Sequence, residues 1–250
     1  MIHIRPLMSD RINARLTELT VGDSLALVAM PEFAAEAARS EFLRRVVAES
    51  TGAVSDPADW TVEERIWAVA HYLGAVDGQP NIRLMGGGVL TDYLLPEQSM
   101  PPGPVDLEQF GAGGWTIGQM TGSECELVES RHSGRVQWIL ADMAVRLRTA
   151  AEDRPDHKLA PGQWCDWLAR KIEVLKALPS SDMDTLFAAY RAGLPRVRHL
   201  WHLELSDRGH VCMPVALTKT REAGGGLPPV RFPVSACVGS AARALGFVVA

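Results

Sequence analysis

A chain of 250 residues, 47% hydrophobic and 22% charged, lies in the ordinary globular range and is long enough to bury a sizeable core. Its net charge of −5 argues against a protein whose main task is neutralising phosphates, so no nucleic-acid partner is expected. No stretch approaches the roughly 20 apolar residues of a membrane-spanning helix, and the opening MIHIRPLMSDR lacks the apolar run of a signal peptide. The expectation is synthesis in a reducing cytoplasm, without a membrane partner.

Three helix starts share one chemistry. Thr20 with Asp23, Thr61 with Glu64 and Thr121 with Glu124 have the spacing of a capping box, a hydroxyl taking an orphan N–H and a carboxylate reaching back. The first opens a short helix that Pro31 closes, and a second helix is predicted over about 32–49. The Thr61 box opens a helix over about 62–76, where Val62, Ile66, Val69, Leu73 and Val76 make one apolar stripe. Trp60 before it reads as the apolar residue of a hydrophobic staple, and His71 as a surface histidine. Asp56, Asp59, Glu63 and Glu64 read as helix-start acids.

From Asp77 to Gly114, proline and glycine break the pattern, leaving a short helical piece near 90–95. The organisation read from this is a helical region over 1–76, a Pro/Gly-rich arm or linker over 77–114, and a region over 115–250 that ends in strands. Helices are predicted at about 121–131, 134–149, 163–178 and 182–191. The 134–149 helix carries Val136, Ile139, Leu140, Met143 and Leu147 on one side. Trp138 and Val145 lie on the other, the pattern of a helix either buried in the middle of a bundle or in contact with a partner. Arg191, Arg196, Arg198 and His199 read as solvated surface or a helix C-terminus. No internal repeat is evident.

The last third alternates. Residues 196–205 and 211–217 read as two strands joined at Ser206-Asp207-Arg208-Gly209. A type I turn with Gly209 as a bulge sets Ser206 opposite His210. That register places Trp201, Leu203, Leu205, Val211, Met213 and Val215 on one face. His202, Glu204, His210 and Cys212 then share the other, with Glu204 across from Cys212. The fold class predicted is α+β: a mainly helical body of about seven helices with a C-terminal β-hairpin or small antiparallel sheet.

Catalytic motifs are lacking. Gly86-Gly87-Gly88 has no P-loop lysine, Gly111 to Gly114 lacks the third glycine of a dinucleotide fingerprint, and there is no GxSxG, HExxH or kinase signature. Cys125, Cys165, Cys212 and Cys237 are widely spaced without a CxxC pair and read as free thiols, Cys165 as a buried one. His202, Glu204, His210 and Cys212 are residue types that bind metals, against the bland reading of a polar sheet face. The sequence assigns no catalytic residue, cofactor or metal ligand.

The N-terminal half carries a resemblance. LTVGDSLALVAMPE, then WTVEERIWAVAHYLGAV and LTDYLLPE, spanning about residues 19–96, are similar to segments of tailed-bacteriophage tail proteins of the tail-tip or baseplate-hub kind. The resemblance implies a non-enzymatic structural or assembly component acting through interfaces with other tail proteins or with further copies of itself. It transfers no functional residue. The alternative is a metal- or iron–sulfur-binding protein, or a small metalloenzyme, that uses the Cys and His residues of the C-terminal hairpin.

Overall fold

The computed structural model describes residues 2–84, 87–95, 101–107, 114–150, 152–215 and 227–238. The glycines at 111–113, the tip at 224–226 and the apolar end 245–250 lie outside them. Within them stand seven α-helices and three small antiparallel sheets, as expected of an α+β protein.

The first sheet joins β1 (Leu7–Met8), β2 (Asn13–Leu16) and β3 (Val47–Thr51), with α1 (Val21–Val28) and α2 (Ala35–Val46) between β2 and β3. After α3 (Val62–Val76), the second sheet repeats this order with β4 (Val105–Asp106), β5 (Trp115–Ile117) and β6 (Leu147–Thr149). Helices α4 (Gly122–Glu129) and α5 (Arg135–Arg146) lie between β5 and β6. Then follow α6 (Pro161–Lys176), α7 (Ser180–Val197) and the hairpin β7 (His202–Ser206) and β8 (Gly209–Met213).

The chain therefore contains an internal repeat that its sequence hides. Two ββααβ units, offset by about a hundred residues, have the same strand order, and in each an 8-residue helix precedes a 12-residue one. Each long helix passes directly into its strand. After each unit an aspartate turns the chain toward the next helix, Asp56 accepting from the N–H of Ala58 and Asp156 from that of Lys158. What the units share is a capping threonine and the acid three residues on. Most other positions differ, so no sequence period survives.

All three capping boxes form, because each supplies partners to N–H groups that a helix start leaves unpaired. The α3 and α4 boxes also meet. Thr61 and Thr121 form an antiparallel bridge, with Val62 N–H donating to Met120 O and Gly122 N–H to Trp60 O. Trp60 is fully buried, its indole N–H donating to Val54 O.

Two predicted helices are too long. The stretches over 32–49 and 134–149 end at Val46 and Arg146, and the residues after them become β3 and β6. Helical periodicity continues there, but antiparallel partners in β2 and β5 claim the backbone. Helix α7 instead runs beyond the predicted 191, through Pro195 to Val197.

Among the described residues, the buried hydrophobic side chains of 1–76 and of 115–238 belong to one core. The described part of 77–114 packs on that core: Ile82, Leu90, Tyr93 and Leu107 are buried, and the Tyr93 hydroxyl donates to Pro228 O at 2.8 Å. A 3-10 turn over Leu90–Asp92 is its short helical piece. Helix α5 is covered on both sides toward its C-terminal end, with Ala141, Met143, Ala144 and Val145 all buried. Its first turn is not, and Val136 stands 71% exposed.

The hairpin forms with a different register from the one predicted. Ser206 pairs with Gly209, Leu205 with His210 and Leu203 with Cys212. A one-residue slip moves every side chain of one strand to the opposite face. His210 and Cys212 thus join Leu203 and Leu205 on the buried side, while His202 and Glu204 face the other way beside Val211 and Met213. The predicted His202–Glu204–His210–Cys212 face does not exist. The slip is favoured by what β8 meets below it: Gly209 fits against the ring of Trp138, and His210 reaches polar partners in the core.

Candidate functional site

The polar residues that converge in this protein lie inside it, where α2, α4, α5 and β8 meet. The second repeat supplies Cys125, Glu129, Asp142 and Arg146. Along α2 the inward positions Phe42 and Val46 are apolar; a hundred residues on, α5 places Asp142 and Arg146 in buried positions. Asp142 Oδ2 lies 2.9 Å from Arg146 Nε, and the Tyr190 hydroxyl donates to the same carboxylate. Burial alone would raise the Asp142 pKa. The Arg146 guanidinium, with hydrogen bonds from His210 and Tyr190, overrides this and holds the carboxyl well below the ordinary range. Arg146 is pushed up by the same pairing despite its burial.

His210 bridges this pair to a thiol. Its Nε2 lies 3.2 Å from Asp142 Oδ1, and its Nδ1 lies 3.6 Å from Cys125 Sγ. With Nε2–H donating to the carboxylate, Nδ1 is the acceptor that faces the thiol. Trp138 packs edge-on to the imidazole, with centroids 6.0 Å apart. The order thiol, imidazole, carboxylate is that of a nucleophilic triad. Cys125 is fully buried, however, and burial pushes its thiol well above the usual range, so it is held as a protonated thiol rather than a nucleophile.

Beyond Cys125 lies Glu36, at the start of α2. Glu36, Cys125 and His210 each place one donor atom within 4.8 Å of the others. Burial opposes ionisation of Glu36, but the guanidiniums of Arg39 and Arg65 outweigh it and lower its pKa. Arg39 bonds Glu36 Oε1, while Arg65 donates to Glu36 O at 3.1 Å and to Ser40. Arg65 reaches there by lying across Gly122, where a Cβ would come within 1.9 Å of its Cδ. Further out, the Glu129 carboxylate accepts the N–H groups of Glu36 and Ala37 at the α2 N-terminus, replacing the missing side-chain cap.

Of the residues singled out in the sequence, Cys125 and His210 enter this cluster. Cys212 is buried on the same hairpin face, and its thiol is pushed up by burial. His202 is half-buried on the opposite face, 3.6 Å from Glu204. Cys165 and Cys237 are buried elsewhere, and Cys125, Cys165 and Cys212 are free thiols. Among the described residues the group of metal-type donors contains one cysteine, so they hold no four-thiolate cluster. His199 is fully buried, its Nε2 3.0 Å from Thr61 Oγ1 at the α3 cap. Glu36 and Asp142 escape sequence reasoning because each looks like an ordinary helix residue and their meeting depends on long-range packing.

Two surface hollows lie nearby. One, about 410 Å³, opens between α5, α7 and β7, with Asp142 and His210 among its lining beside Arg135, Arg191 and Arg198. The other, about 670 Å³, lies between α5 and α6 and is lined by Leu140, Ala169, Ile172 and Val174 among others.

Fold and site together define an α+β protein built from two ββααβ units around a closed polar core. Comparison of the chain with family models, with curated proteins and with solved structures finds no match to any of them. No helix among the described residues is long and apolar enough to cross a membrane.

Proposed function

We propose that this chain is a non-enzymatic structural or assembly component of a phage tail, acting through interfaces with other tail proteins. The resemblance of residues 19–96 to tail-tip and baseplate-hub proteins suggests the setting. The observation that carries the non-enzymatic reading is the closure of the reactive chemistry: Cys125, Asp142 and His210 are at most 5% exposed. A thiol in that position meets no substrate.

The surface offers contacts instead. Val136 on α5 and Val174 on α6 stand 71% and 62% exposed, and Val174 lines the hollow between those helices. Apolar side chains grouped at a hollow are what a partner covers.

The test is native mass measurement of the chain co-expressed with the neighbouring tail proteins. A stable complex with one of them supports the reading, and a Val136→Asp, Val174→Asp double variant that folds normally but loses the partner locates the interface. A tight monomer that captures none of them overturns it.

A further inference from the structure

We propose that Glu36, Cys125 and His210 form a binding site for a divalent transition metal ion of the zinc type, clamping α2, α4 and the hairpin together. The donor set, one thiolate, one imidazole and one carboxylate, is the mixture that zinc accepts. Their donor atoms already lie within 4.8 Å of one another, and all three residues are buried. For a tetrahedral ion with Zn–S near 2.3 Å and Zn–N near 2.0–2.1 Å, sulfur and nitrogen stand about 3.5–3.6 Å apart. Cys125 Sγ and His210 Nδ1 are 3.6 Å apart. A shift of the Glu36 carboxylate on the order of 1 Å completes a three-donor site, with a fourth position open.

Two further observations point to a ligand. Glu36 Oε2 is buried without a hydrogen-bond partner, 4.0 Å from Arg65 Nη1, while Oε1 is engaged by Arg39. The oxygen left over is the one a metal would take. His210, for its part, is held as metal-bound imidazoles usually are. Its far nitrogen lies on the Asp142 carboxylate, itself fixed by Arg146 and Tyr190, which sets the tautomer and aims Nδ1 at the site.

Glu36 as carboxylate and Cys125 as thiolate supply two anionic ligands to a divalent ion, and with the thiol proton released the cluster beside Arg39 and Arg65 carries one more positive charge than before. The thiol proton leaves to solvent as the sulfur–metal bond forms, and no oxidant or reductant is needed.

The experiment is metal titration of the full-length protein after chelator treatment. Uptake of one Zn²⁺ per chain is expected, with a rise in thermal midpoint. With Co²⁺ as the probe, a sulfur-to-metal charge-transfer band of one thiolate is expected. Cys125→Ser should lose that band, and Asp142→Asn, acting through His210, should weaken Co²⁺ binding about 10–100-fold. Where a variant fails to fold, the wild-type protein still decides: Zn²⁺ must shift the ring nitrogen resonances of His210. The proposal is overturned if wild-type protein takes up no stoichiometric metal, if the charge-transfer band survives Cys125→Ser, or if the His210 ring is untouched.

Discussion

His210 Nδ1 lies 3.6 Å from Cys125 Sγ although 85 residues separate them, and the contact depends on a single turn. Because Ser206 pairs with Gly209, the next residue of β8 points inward. In the alternative register His210 would stand opposite Ser206, on the polar side of the hairpin, and the thiol would lose its partner.

That dependence makes Gly209 a sensitive position. Its φ of +82° lies in the left-handed region, and an added Cβ would sit 3.3 Å from the Trp138 ring. Gly209→Ala is expected to cost about 1–2 kcal/mol from backbone strain alone. Urea unfolding measures the loss, and hydrogen exchange should show it centred on β7 and β8. An unchanged midpoint would mean that this turn does not set the register.

Gly122 and Gly162 form a matched pair. An alanine Cβ at Gly122 would meet Arg65 at 1.9–2.5 Å, whereas at Gly162 nothing lies within 4 Å. Gly122→Ala must displace a buried guanidinium and is expected to cost at least about 1–3 kcal/mol, the range for overpacking. Gly162→Ala, in the first turn of α6, should be neutral or stabilising by about 0.4–1 kcal/mol. Denaturation midpoints that move together would refute the close fit of Arg65 over α4.

Asp142 links stability to acid. Its pKa is lowered in the fold, so the unfolded chain takes up the proton first as pH falls. Its contribution is complete above the ordinary carboxylate value of about 3.9 and is lost as pH falls from there toward the folded value. Asp142→Asn leaves Arg146 buried without its counter-charge, and a loss of about 3–5 kcal/mol at neutral pH is expected. The variant's stability should also fall less steeply below pH ~4 than the wild type's, which acid titration of the unfolding free energy will check.

His199 acts in a higher window. Burial lowers its pKa against an opposing effect of Glu63, and its Nδ1 has no hydrogen-bond partner. The unfolded state therefore binds the proton first once pH drops below about 6.5, and stability declines from there down through the folded value. His199→Gln should flatten that part of the curve. The quantity to compare is the slope of unfolding free energy between pH ~7 and ~5, and identical slopes would exclude His199 as a contributor.

Helix starts were legible in the sequence because capping is local chemistry: Thr20, Thr61 and Thr121 satisfy N–H groups within three residues of themselves. The stripe of α3, the α+β class and the existence of the hairpin followed from the same short-range periodicities. Helix ends at Val46 and Arg146 were not legible, since the strands that claim the next residues lie about thirty positions away in the chain. Nor was the repeat, whose two copies share an element order rather than side chains.

Above all, tertiary structure decided the polar core. Either register of the hairpin satisfies alternation and turn chemistry on its own. What selects between them is the ring of Trp138 beneath Gly209 and the carboxylate and thiol waiting for His210. Those groups reach β8 only after α4 and α5 have packed, so no local pattern in 202–213 contains the answer.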